Sequence, residues 1–167
     1  RLGALVFSLA ASFGAAAAVP FEAAPVDYAG TVTFGDAVAA NIRLVSGTAS
    51  IIAGAGLDGY FWGTGFSATE WRGGTIASYL QADQGASITV VGSGLTISEV
   101  GPWFGGTKYT ITGNLLSGDA VQIDAYTYSG GSLHVANVPE PPAVAMVLSG
   151  LLLVAGLARR AGIHPRP

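Results

Sequence analysis

The 167-residue chain contains no cysteine, so disulfide bridges, zinc–thiolate sites and a cysteine nucleophile are excluded. Charged residues are also scarce: they make up 10% of the chain, whereas globular domains average about 25%. Of the seven basic residues, only Arg43, Arg72 and Lys108 lie between positions 27 and 138. Nucleic-acid binding requires a basic face, so this acidic central region argues against a nucleic-acid partner.

Apolar residues and glycine are abundant. Apolar residues make up 50% of the chain, the mean hydropathy is +0.52, and there are 25 glycines. The apolar content is high for a soluble domain, which indicates that part of it serves a membrane. The glycine content favours short strands and tight turns over long helices.

The N-terminal segment has the layout of a secretory signal peptide. Arg1 is followed by a mostly apolar stretch at 2–13 and by small residues at 14–18. Cleavage after Ala18 satisfies the small-x-small requirement of signal peptidase. We therefore predict a signal peptide at 1–18 and an extracytoplasmic domain at 19–137. A buried N-terminal helix is the alternative, but the stretch has no polar face to turn towards water.

The C-terminal region contains a second apolar segment. Residues 143–158 carry no charge, and sixteen residues of helix span roughly 24 Å, slightly less than the ~30 Å hydrocarbon core. Flanking residues or local thinning close such a gap. Arg159 and Arg160 follow at once, and basic residues beside a span stay on the cytoplasmic side. The sequence thus predicts a transmembrane helix at 143–158 in the inner membrane, with the preceding domain outside the cytoplasm.

A proline-rich motif, Val138, Pro139, Glu140 and Pro141, stands just before this segment. Prolines keep the chain extended and exposed, so an enzyme that acts on extended peptide can reach it. The order of Pro-Glu-Pro, apolar helix and Arg159–Arg160 resembles the PEP-CTERM sorting signal, over 138–167. An ordinary tail anchor with a proline-rich hinge is the alternative.

The resemblance to PEP-CTERM proteins implies a partner and a route. In that family an exosortase, a cysteine-protease-like enzyme of the inner membrane, recognises the motif and removes the helix. Such proteins occur in Gram-negative bacteria, typically those that make exopolysaccharide. The resemblance therefore implies a membrane-anchored precursor with a periplasmic body, which then reaches the cell surface or the extracellular matrix of a biofilm.

The central region predicts strands. Between Val26 and Asn137, short runs alternate apolar and polar residues with period two, as in Ile88 and Val90 or in Tyr109 and Ile111, and glycine-containing breaks separate the runs. This pattern is typical of half-buried antiparallel strands. We expect an all-β domain, a β-sandwich or a jelly-roll-like fold, with helix confined to the terminal segments. No internal repeat is evident.

Aromatic residues near glycine-rich turns are the candidates for ligand contact. Aromatic side chains can stack on sugar rings, although they more often bury their area in a core. The candidate carbohydrate contacts are Tyr60, Trp62, Trp71 and Trp103. Exopolysaccharide is the corresponding candidate partner.

Two further motifs are interpreted as turns. Residues 54–59 (GAGLDG) match the dinucleotide-binding fingerprint, but that fingerprint works only where a strand turns into a helix, and a strand-like segment follows here. We therefore predict no cofactor. Four aspartates could supply calcium ligands, but they lack EF-hand spacing and turn positions account for them, so we predict no metal. They are Asp58, Asp83, Asp119 and Asp124.

No local motif supports catalysis. His134 and His164 have no neighbouring carboxylate, no G-x-S-x-G elbow is present, and no pattern pairs Glu70 with Glu99. We predict no catalytic residues and favour a non-catalytic surface or matrix protein. Two alternatives stay open: a carbohydrate-binding module that uses the loop aromatics, and a secreted hydrolase with a dispersed site. The hydrolase predicts a concave cluster of carboxylates with perturbed pKa values.

Overall fold

A computed structural model describes residues 23–139 and 149–153 of the chain. Residues 149–153 are helical, and twelve strands lie within 26–137. The strands are β1 (Val26–Phe34), β2 (Ala37–Val38), β3 (Ile42–Ile51), β4 (Gly56–Leu57), β5 (Phe61–Gly63), β6 (Ala68–Trp71), β7 (Thr75–Ile76), β8 (Tyr79–Ala82), β9 (Ser87–Trp103), β10 (Gly106–Leu115), β11 (Ala120–Thr127) and β12 (Ser132–Asn137).

The strands wind into a parallel β-solenoid. Ile42 of β3 lies opposite Phe61 of β5, and Phe61 lies opposite Leu80 of β8, so each coil of chain is 19 residues long. Leu57 and Ile76, on another face of the solenoid, pair at the same interval. Each coil thus places its strands directly beside those of the coil before it, in parallel and in register.

The solenoid has three faces. Face A consists of β5, β8 and the parts of β1, β3 and β11 that pair with them. Face B consists of β6, β12 and the parts of β1, β3 and β9 that pair with them. Face C is narrow and consists of β2, β4 and β7. Face A carries the candidate site described below.

Apolar ladders fill the interior between the faces. Because successive coils are in register, inward side chains at equivalent positions stack on one another, which explains the period-two alternation in the sequence. All the members of these ladders are buried. The main ladders are Ile42–Phe61–Leu80–Ala125 on face A, Phe34–Ile51–Trp71–Val90 on face B and Leu57–Ile76 on face C.

The corner between faces A and B requires a left-handed backbone in each coil. Gly47 has φ of +92°, and a Cβ there would collide with the carbonyl group of Gly30 in the coil before. In later coils the positive φ at this corner falls on Phe66, Gln84 and Ser129, each beside a glycine. The repeat is therefore a repeat of backbone conformation and of inward burial, with little identity of sequence.

A hairpin interrupts the last coil. β9 runs on beyond face B, β10 returns antiparallel to it, and β11 pairs antiparallel to β10 before joining face A. Leu80 consequently pairs with Ala125, 45 residues further along the chain instead of 19. Thr96 and Thr112, joined across the hairpin by a hydroxyl–hydroxyl hydrogen bond of 2.9 Å, mark its outer surface.

The predicted all-β class is confirmed, but the expected antiparallel sandwich or jelly roll is wrong. Of the eleven strand pairs in the described residues, nine are parallel, and the two antiparallel pairs belong to the hairpin. Alternation with period two reports that a strand has one buried side, and a solenoid strand meets that condition as well as a sandwich strand does. A repeat is also present, at 19 residues.

Most of the terminal predictions lie outside the described residues. This holds for the signal peptide at 1–18, for Glu140 and Pro141, for Arg159 and Arg160, and for most of the segment 143–158. Within that segment, 149–153 are helical. Among the described residues, no helix has the length and apolar character that a membrane span requires.

We predict that Leu80→Ala lowers the free energy of unfolding by about 2–5 kcal/mol, because Leu80 is fully buried in the ladder of face A and its loss leaves a cavity between two coils. Urea unfolding of the full chain measures the change. Leu116→Ala is the matched control: Leu116 is 50% exposed, so its loss should cost less than about 0.5 kcal/mol. Equal losses for the two variants would contradict the role assigned to the ladder.

Candidate binding site

The outward positions of face A carry a row of aromatic and polar side chains. Register places Asp27, Arg43, Trp62, Gln81 and Tyr126 side by side on successive coils. They project from the same pleat of neighbouring parallel strands, so each side chain lies against those of the coils next to it. This row is the foundation of the candidate site.

The first half of the row is held by charge. The Arg43 guanidinium donates two hydrogen bonds to the Asp27 carboxylate, at 2.7 and 2.5 Å, and its central carbon lies 5.2 Å from the centre of a Trp62 ring. The hydrogen bonds from Arg43 lower the pKa of the Asp27 carboxyl. Cation–π contact and ion pair together fix the orientation of Trp62.

The second half of the row opens into a concave site, which we term the aromatic cleft. Its volume is about 250 Å³, and its lining residues come from two coils and from the hairpin. Face A contributes Tyr79, Gln81, Tyr126 and Tyr128, and the end of β9 contributes Trp103. The cleft therefore exists only because the hairpin folds back over the face.

The rings of the cleft meet at steep angles. Tyr79 and Tyr126 are perpendicular, with centroids 5.4 Å apart, and the Trp103 ring is tilted by 43° to Tyr126 at 6.1 Å. Tyr60 stacks behind Tyr79 at 5.0 Å and 15°. Edge-to-face and stacked pairs of this kind hold rings in fixed positions, so the walls of the cleft are set before any ligand arrives.

Lys108 ties the hairpin to face A. Its ammonium group lies 2.7 Å from the Asp124 carboxylate, 5.7 Å from the centre of Trp103 and 5.8 Å from that of Tyr126. The hydrogen bond to Asp124 raises the pKa of Lys108, so the lysine stays charged. One cation thereby bridges the two rings that come from different parts of the chain.

The tyrosine hydroxyls of the cleft stay protonated. Burial raises the pKa of Tyr79 to about 12, and the neighbouring Tyr60, Tyr126 and Tyr128 add to the effect. Burial also raises the pKa of Tyr128. A neutral phenol both donates and accepts a hydrogen bond. The cleft can therefore stack a ring against an apolar wall and bond hydroxyl groups at its edge.

The four predicted carbohydrate contacts have different positions. Trp103 is 44% exposed and lines the cleft, and Trp62 lies beside it on the outer row. Tyr60 is 8% exposed and supports Tyr79 from behind. The expectation for Trp71 is wrong, because Trp71 is 2% exposed in the face B ladder and donates its indole N–H to the Gly73 carbonyl at 2.9 Å.

Sequence reasoning missed Tyr79, Gln81, Tyr126 and Tyr128 as lining residues. One signal pointed to two of them. Tyr126 and Tyr128 occupy the polar positions of β11, where an aromatic residue is unexpected unless the outer surface binds something. Tyr79 and Gln81 gave no such signal, because their place in the cleft depends on the parallel pairing of β8 with β11.

The acidic residues of the described region are dispersed. Within 23–139 and 149–153, no three His, Cys, Asp or Glu side chains come together as a metal site would require. Asp119 accepts hydrogen bonds from the Ser117 hydroxyl at 2.6 Å and the Gly74 amide at 3.1 Å, which lower the pKa of its carboxyl. Glu70 pairs with Arg72 at 2.9 Å. These carboxylates thus have structural partners.

The beginning of the proline-rich motif is attached to the solenoid. The Asn137 side chain accepts a hydrogen bond from the Leu95 amide at 2.7 Å and donates one to the Leu95 carbonyl at 2.9 Å. The Val138 amide donates to the Gly92 carbonyl at 2.6 Å. Val138 and Pro139 also border a second, smaller recess of about 200 Å³. The folded body thus extends to the first residue of the motif.

Comparison of the chain with protein-family models, with curated proteins and with solved structures gave no match. The candidate site is therefore interpreted from its own geometry.

We predict that Tyr79→Phe reduces the loss of stability at high pH. Because the pKa of Tyr79 rises from about 10 in the unfolded chain to about 12, its stabilising contribution is complete below pH 10 and is lost as the pH rises to 12. The phenylalanine variant has no proton to release there. Thermal unfolding at steps from pH 8 to 12 measures the effect. Identical pH dependence for wild type and variant would show that Tyr79 ionises as freely as in the unfolded chain.

Proposed function

We propose that the protein is an exported, exosortase-sorted surface protein with a non-catalytic solenoid body. The N-terminal segment 1–18 directs export and is removed by signal peptidase. The segment 143–158 then holds the precursor in the inner membrane, with Arg159 and Arg160 on the cytoplasmic side. Processing at Pro139-Glu140-Pro141 releases the body to the cell surface or to an extracellular matrix rich in polysaccharide.

One structural observation carries most of the weight: the solenoid and the sorting motif adjoin without a linker. The last strand ends at Asn137, and Val138, the first motif residue, makes a backbone bond to Gly92. The body thus reaches the position at which the chain becomes proline-rich and extended. A processing enzyme would meet a rigid body on one side of the motif and the membrane on the other.

A surface role suits the physical properties of the body. Its core consists of ladders that each coil shares with the next, so it needs neither disulfides nor metal to define its shape. It displays a preformed aromatic cleft, and the aspartates near the corners are engaged with backbone and side-chain donors. This combination supports recognition of a ligand rather than acid–base chemistry, which requires carboxylates facing one another in a cleft.

We predict that Glu140→Ala leaves an unprocessed, membrane-anchored precursor, because the altered motif is no longer recognised while the anchoring segment is intact. Intact-mass measurement and fractionation of the native host, with and without its exosortase, measure the outcome. Glu99→Ala is the matched control: it removes an exposed carboxylate from the hairpin and should be processed as wild type is.

The mass also reports on export, since removal of 1–18 changes it independently. If wild type and Glu140→Ala have the same mass and the same location in both hosts, the sorting proposal is wrong and 143–158 is an ordinary tail anchor. Neutral residues at 159 and 160 should instead alter retention or orientation and leave recognition of the motif intact, because they act on topology.

A further inference from the structure

We propose that the aromatic cleft binds a neutral polysaccharide, whose pyranose rings stack on Trp103 and Tyr126. The inference deepens the proposed function and rests on it for access to polysaccharide, since the body must be outside the cytoplasm to meet such a ligand. The binding itself depends only on the cleft, which lies wholly within the described residues.

The shape of the cleft suits a sugar ring. A pyranose has an apolar face of C–H groups and an edge of hydroxyls, so it requires a flat apolar wall with polar groups at right angles. Trp103 and Tyr126 supply tilted walls, and the perpendicular Tyr79 closes the end of the cleft. The Gln81 amide lies between them on face A and can bond two neighbouring hydroxyls as donor and acceptor.

The size of the cleft suits one segment of a long chain. Its volume of about 250 Å³ falls below the ~300–1,000 Å³ of sites that enclose a drug-sized ligand. The cleft is open at the surface and continues into the outer row of face A, where Trp62 and Arg43 follow on preceding coils. A polymer can therefore leave one residue in the cleft and run along the row.

The charge of the cleft favours a neutral ligand. Its cation, Lys108, is held at 2.7 Å by Asp124 and covered by the faces of two rings, so it is already neutralised. The chain as a whole has a net charge of −3. Binding an anionic polymer would require Lys108 to exchange Asp124 for the ligand and would bring negative charge towards a negative protein. Neither cost applies to a neutral chain.

A proline-rich peptide is the competing ligand, because aromatic grooves also bind polyproline II segments. The polar side favours sugar. Tyr79, Tyr126 and Tyr128 line the cleft together with the Gln81 amide, and burial keeps Tyr79 and Tyr128 protonated, so hydroxyl-bonding groups outnumber what a peptide without free N–H groups at proline would use. Competition with a Val-Pro-Glu-Pro-Pro peptide separates the two ligands.

The test is affinity electrophoresis of the full chain, kept soluble in a polyoxyethylene detergent because sugar-headed detergents would compete. The gels contain dextran, hydroxyethylcellulose or galactomannan as neutral polymers, and alginate as the anionic one. We expect retardation by at least one neutral polymer and a loss of at least about tenfold in affinity for Trp103→Ala, as for other truncated aromatic anchors. Trp103→Phe should recover part of the loss.

Phe66→Ala is the matched control, because Phe66 is equally exposed (87%) but lies at the A–B corner, outside the cleft, and the variant should bind as wild type does. The proposal is overturned if no neutral polymer retards the chain, if the Trp103 and Phe66 variants weaken equally, or if alginate or the proline-rich peptide binds more tightly. Thermal unfolding checks that Trp103→Ala is folded. The assay uses purified protein, so its result is independent of whether the host processes Glu140→Ala.

Discussion

Each coil of the solenoid depends on in-register contact with the next, because no single coil encloses a core. An inward residue such as Leu80 is buried by Phe61 on one side and Ala125 on the other. The same register brings outward residues into rows, so core and binding surface follow from one constraint. Stability of this kind is a sum over neighbouring coils, which makes the central coils the ones that most tightly couple the two ends.

The hairpin converts a regular surface into a specific one. A row of parallel strands alone presents a shallow surface, whereas β9 and β10 bring Trp103 over Tyr126 and create a recess. Lys108 is central to this step, since it contacts both rings and pairs with Asp124. The elongated coil therefore adds a wall to face A without disturbing the ladder beneath, where Leu80 and Ala125 pair as if the insertion were absent.

The sequence predicts the strands better than it predicts their arrangement. Alternation around Ile88 and Val90 correctly indicates a half-buried strand, and glycines mark the corners. Parallel pairing leaves no local trace, because the partner of Leu80 is 19 residues away on one side and 45 on the other, and the inward positions tolerate leucine, phenylalanine and alanine alike. The cleft was partly predictable through Trp103, whereas Tyr79 and Gln81 become neighbours of Tyr126 only once the coils are stacked.

The cleft lies at the C-terminal end of the solenoid, and its position has a mechanical consequence. Tyr126 and Tyr128 belong to the same final coil as Asn137, whose side chain is bonded to the hairpin. Tension between a ligand in the cleft and the C-terminal end of the chain would cross only this coil and its bonds to β8 and β9. The upstream coils would bear no load, so the force that detaches the protein from its ligand is set by the last coil and not by the length of the solenoid.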